Sequence, residues 1–161
     1  MQQEEAIGTF YFSPRQRELI WLVAGSLVAG LLIPVASYAL ATLFIQPVFC
    51  KVPSVGVCSD VPTLGYNITL CLMSIVLLMI AVREQIFRPA LVVLPHIIIL
   101  WSLPAILPSV VQNLAGFSFL HAAASVLLLT VFYWLVRIRT FAIVLLLWVV
   151  LAVMARWILI S

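Results

Sequence analysis

Acidic residues are nearly missing from this chain. Glu4, Glu5, Glu18, Asp60 and Glu84 are the only five carboxylates, and none falls inside a long apolar run. That excludes paired carboxylates for acid–base chemistry. It also argues against a cation-coupled carrier, in which an Asp or Glu commonly sits at membrane depth. With two histidines and no His-Glu motif there is no metal-binding pattern, and the six glycines form no phosphate-cradling loop. Only 8% of residues are charged, and no basic stripe with interleaved aromatics is present, so nucleic acid is not an expected partner. No internal repeat is visible.

What the chain has instead is hydrocarbon. Two thirds of it (66%) is apolar, against about 45–50% in ordinary soluble domains. Leu19–Ile45 runs without a formal charge. At ~1.5 Å per residue such a run reaches about 40 Å as a helix, more than the ~30 Å of a bilayer core. The expected architecture is all-α: one membrane domain over residues 1–161, with five transmembrane helices at about 19–45, 64–82, 90–107, 117–136 and 140–160. The acidic start Met1–Glu5 and the length of the first run are unlike a cleavable signal peptide, so the first span is expected to stay in the protein. Phe10, Tyr11 and Phe12 suit a headgroup region, and Ser13, Pro14 and Gln16 read as a helix start. Pro34 should kink the first span, and Pro95 and Pro104 the third.

Charges set the expected orientation. Arg15, Arg17, Arg83, Arg88, Arg137 and Arg139 fall on the side of the N-terminus, and only Lys51 and Arg156 on the other. By the positive-inside rule the N-terminus is cytoplasmic and the C-terminus outside. The six arginines form a cytoplasmic basic rim whose main role is topogenic, with anionic lipid headgroups as possible contacts. Tyr133 and Trp134 are expected at the inner interface, Tyr66 and Trp157 at the outer one, and Arg156 is expected to snorkel outward. The expected location is the bacterial inner membrane.

Loop 46–63 faces the non-cytoplasmic side on this reading and holds three prolines, Cys50 and Cys58. Disulfides persist there. A bridge across so short a loop stabilises by about 2.6 kcal/mol in the chain-entropy model. The pair reads first as a structural staple. A redox pair normally has Cys-x-x-Cys spacing, and the one other cysteine, Cys71, lies inside a span. Asn67-Ile68-Thr69 matches a glycosylation acceptor at the membrane edge and reads as chance.

His96 and His121 are the polar intramembrane candidates. Counted along straight helices, His96 lies roughly 10 Å from the inner face and His121 roughly 6 Å from the outer one. In a ~30 Å core they should not converge, so no shared metal or haem is expected, and no other cofactor. His96, next to Pro95, is the better candidate for a polar pocket. Gly25, Ser26, Ala29 and Gly30 offer two small-xxx-small pairs for helix packing, within the bundle or in a homo-oligomer.

Function is read from this as a small integral membrane protein without an evident catalytic site: a subunit, assembly factor or scaffold of a larger membrane complex. Its partners would be the lipid bilayer and other membrane proteins. A transporter or channel component for a lipidic or apolar substrate is the first alternative, using His96 and the bent third helix. A thiol/quinone oxidoreductase using Cys50 and Cys58 is the second.

Overall fold

A computed structural model describes residues 16–50, 58, 60–101, 103–106 and 113–160. Residues 1–15, including Arg15, the aromatic trio and Ser13-Pro14, and most of the cysteine loop, including Lys51, lie outside the described residues. Helix α1 (Gln16–Leu40) continues past Pro34 and through a π turn, Ala41–Ile45, into α2 (Gln46–Phe49). Then follow α3 (Val61–Arg83), α4 (Pro89–Leu100), the short α5 (Leu103–Ile106), α6 (Leu114–Leu135) and α7 (Phe141–Ile160).

Four helical stretches are long and apolar enough to cross a membrane: Gln16–Val48, Val61–Arg83, Leu114–Leu135 and Phe141–Ile158. The expected third span is different. It is split into α4, of 12 residues, and α5, with Trp101 extended (ψ 129°) between them. Twelve residues reach only about 18 Å. An unbroken helix would drive the Pro104 ring against the carbonyl four residues earlier and forfeit that hydrogen bond, so the chain interrupts itself just upstream.

Side-chain contacts fix relative directions. Gly25 of α1 faces Leu77 and Ile80 of α3, while Gly65 of α3 faces Ser37 of α1 and Ala41 of the π turn that follows it, so these helices are antiparallel. Gly30 faces Ala122 of α6, and Glu18 reaches Tyr133 and Arg137 at the far end of α6, so that pair is antiparallel too. Trp148 of α7 bonds the Leu91 carbonyl of α4, and Arg156 bonds the Ile99 carbonyl. Both contacts have a sequence separation of 57, which makes α4 and α7 parallel and in constant register.

The interior is smaller and more polar than the exterior. The buried stripe of α1 is Glu18, Leu22, Ser26, Ala29, Gly30, Ile33, Pro34 and Ser37, a helical spacing of three and four residues. The outward faces carry Trp21, Leu43, Met79, Leu146 and Trp157, all more than half exposed. Where lipid is the solvent, helices have no hydrophobic drive toward one another, and small residues that allow close approach and polar residues that bond across helices are favoured at their contacts. Gly30 marks the tightest point, where an added Cβ would lie 2.5 Å from the Ala122 Cα. At Gly25 the nearest atoms are flexible side-chain ends at 3.5 Å.

Gly30→Ala is therefore expected to destabilise the protein by about 1–3 kcal/mol, as overpacking does. Gly25→Ala should be close to neutral. Thermal unfolding of the two variants in mild detergent checks the contrast.

Candidate functional site

Five buried side chains from three helices, α3, α4 and α6, form one hydrogen-bonded chain. The Ser74 hydroxyl lies 3.2 Å from His96 Nδ1. His96 Nε2 lies 3.0 Å from the Ser125 hydroxyl. Ser125 lies 3.3 Å from His121 Nδ1, and His121 Nε2 lies 2.8 Å from the Tyr66 hydroxyl. All five residues are buried, at 0–1% exposure. Ser74 and Tyr66 stand eight residues apart on α3, so the chain starts and ends on one helix and covers about 12 Å along it.

The two histidines do converge, contrary to the sequence expectation. Their rings are edge to face with centroids 6.2 Å apart. One reason is that α6 begins at Leu114, not near 117, which puts His121 about 4–5 Å deeper than counted. The other is Ser125, one turn from His121 on the same face, which spans the remaining gap. Ser125 and Ser74 were not singled out from the sequence, since serines inside apolar runs look like packing residues. The one available signal is the four-residue spacing of His121 and Ser125. Tyr66, expected at the outer interface, is buried against His121 and Phe117 instead.

Prolines explain part of this placement. Pro34 has no N–H for the carbonyl of Gly30 one turn earlier, and Gly30 packs directly on Ala122, the residue next to His121 on α6. Pro95 likewise frees the Leu91 carbonyl, and Trp148 Nε1 of α7 takes it at 2.8 Å. At the broken end of α4, Arg156 donates to the carbonyls of Ile99 (3.2 Å) and Trp101 (2.5 Å). Arg156 thus turns inward to backbone oxygens, not outward as expected from sequence. Unpaired carbonyls in hydrocarbon are costly, and a guanidinium presents donors in a fixed fork that can serve two at once.

A second polar cluster closes the other end of the bundle. The expected rim arginines divide there. Arg137 is buried (4% exposed) and pairs with buried Glu18 (7%) at 2.5 Å. Tyr133 donates to the same Glu18 oxygen at 3.2 Å and also accepts from Arg137. A carboxylate is therefore interior after all, because α1 begins at Gln16 and carries Glu18 on its buried stripe. Arg17 is exposed and pairs with Glu84 at 3.0 Å. Arg88 is half-buried between the rings of Phe87 (4.5 Å) and Phe141 (4.9 Å). Arg83 and Arg139 are exposed.

Cys50 and Cys58 lie at disulfide distance, with Cα atoms 5.7 Å apart, within the ordinary range for a bridge. They tie the end of α2 to the start of α3. Cys58 also lines a cleft of about 500 Å³ with Pro34, Ser37, Thr42, Gln46 and Phe117. The hydroxyls of Ser37 and Thr42 are bonded to carbonyls of their own helix, Pro34 and Tyr38. Among the described residues no three His, Cys, Asp or Glu side chains cluster as a metal site.

Arg137→Met leaves Glu18 buried without its cation and should destabilise by about 3–5 kcal/mol. The double variant Glu18→Gln/Arg137→Met should recover much of that loss. Unfolding midpoints of the single and double variants in detergent measure the difference. Compared with known protein families, with curated proteins and with solved structures, the chain matches none.

Proposed function

We propose that this chain is a non-catalytic membrane-embedded subunit or scaffold, one component of a larger membrane complex. The reading is carried by the state of the polar interior. Buried side chains that would hold a substrate are already engaged with one another or with backbone carbonyls. A small-molecule site needs a few polar groups converging on open space. The hydroxyls of Ser37 and Thr42 in the cleft beside Cys58 turn back onto carbonyls of their own helical stretch instead.

Helix α7 supports the same reading. It is held to α4 by two side-chain-to-carbonyl attachments, yet Leu146, Val153, Met154, Trp157 and Ile158 remain more than half exposed. Such a face suits lipid or the helix of a neighbouring protein. In this proposal the chain crosses a bacterial inner membrane five times, with α4 and α5 together making the third crossing. The N-terminus is cytoplasmic and the C-terminus outside, because Glu18, Glu84 and Arg137 gather at the end that bears most of the arginines.

Photo-crosslinkers placed at Leu146, Val153 and Trp157 in the native membrane test the subunit reading. A discrete adduct with another membrane protein is the expected result, matched by co-purification in native mass measurement. A monomer that forms adducts only with lipid would refute it. For orientation, reporter fusions should place the termini in opposite compartments, and Cys50 and Cys58 should react with an impermeant thiol reagent only after reduction.

A further inference from the structure

Two buried polar clusters follow one another along α1 and α6, with a cleft at each end. At the inner end a polar cleft of about 290 Å³ is lined by Arg17, Glu18, Arg83, Glu84 and Gln85. Glu18 joins that cleft to the buried Tyr133 and Arg137. One turn further in on α1 and α6 stand Leu22 and Leu129. With Leu77 of α3 they belong to one buried apolar cluster. Beyond this layer come Ser26, buried at 0%, and the chain Ser74–His96–Ser125–His121–Tyr66. Phe117 then packs on both Tyr66 (6.2 Å) and His121 (6.0 Å), and it lines the outer cleft on its other side.

We propose that this succession of groups is a gated proton pathway. The two histidines are its relay, and two apolar barriers interrupt it: Phe117 toward the outer cleft and the Leu22/Leu77/Leu129 layer toward the inner one.

The hydrogen-bond chain meets the chemical requirement for a relay. A neutral imidazole has one N–H donor and one acceptor nitrogen, and a hydroxyl both gives and accepts. A proton from water in the outer cleft bonds to the Tyr66 oxygen, and the hydroxyl proton of Tyr66 moves to His121 Nε2. The N–H at His121 Nδ1 then passes its proton to Ser125, and Ser125 passes its own to His96 Nε2. The proton at His96 Nδ1 moves to Ser74, and the hydroxyl proton of Ser74 leaves to water reaching it from the inner cleft when the leucine layer opens. Every residue ends with the hydrogen count it began with, each imidazole in its other tautomer, and one proton has crossed. Rotation of the hydroxyls and flipping of the imidazoles restores the first polarity. No electrons change hands.

The groups that face this path from each packed helix are Glu18 on α1, Tyr66 on α3, His96 on α4, His121, Tyr133 and Arg137 on α6, and Arg156 on α7. Arg137 is neutralised by Glu18. Among the described residues Arg156 is the cation nearest the outer part of the path, where it donates to the carbonyls of Ile99 and Trp101. A pathway that carries protons needs no vacant substrate site, so this inference goes beyond the subunit reading and does not depend on it. Flux is measured on the isolated protein, whereas partnership is measured in the native membrane, so either can fail alone.

The full chain is reconstituted in liposomes containing the pH indicator pyranine, and a potassium gradient with valinomycin supplies the driving potential. Internal pH should change faster than in protein-free vesicles. His121→Gln keeps a polar side chain but cannot accept at one nitrogen while donating from the other. With Ser125→Ala, it should lower the flux by about a hundredfold, at the lower end of what a positioned proton-transfer group contributes. Phe117→Ala removes the outer barrier and should raise the flux. The proposal is overturned if neither the native protein nor Phe117→Ala exceeds empty vesicles. It is equally overturned if Ser125→Ala conducts like the native chain.

Discussion

Backbone carbonyls that have lost their helical donor dictate how this bundle closes. Each interior proline removes one N–H, and in an apolar solvent the stranded oxygen must be bonded by something. For α4 the donors come from α7: Trp148 for Leu91, and Arg156 for the frayed end at Ile99 and Trp101. These bonds settle that α7 lies beside α4, and in what register. A proline reads as local damage in the sequence, yet in the folded protein it is a docking point for a neighbour.

The same logic orders the remaining polar groups. Hydroxyls such as Thr69 return to a carbonyl of their own helix. Groups too long to do so, the histidines, Tyr66, Tyr133 and Arg137, are drawn into two shared clusters. Between them lies a layer of leucine. The apolar surface that a soluble protein would bury is turned outward, and the small residues are kept for contacts such as Gly30 against Ala122.

Much of the architecture was legible in the sequence because hydropathy and length set the helices directly. The runs around Leu22, Leu70, Leu129 and Val144 each became a long helix, and the cysteine pair sits at bridging distance. The third span was less legible. Proline content announced a bend, but the break at Trp101 depends on Arg156 being at hand to take the freed carbonyls, and that is a long-range fact. Arg137 illustrates the same limit. Counting charges places it on a rim, whereas its burial depends on Glu18 standing opposite, 119 residues away. The histidines converge because Ser125 bridges them, and nothing in a serine's local surroundings announces that role.

The parallel attachment of α7 to α4 has a consequence for how the protein is made. The chain leaves the ribosome from the N-terminus onward, so α4 is made before Trp148 and Arg156 exist. During that interval the carbonyls of Leu91, Ile99 and Trp101 lack their eventual partners. The middle of the polypeptide therefore waits on its tail, and α4 is finished only when the last helix docks. A ribosome stalled near residue 140 would leave α4 with those oxygens stranded.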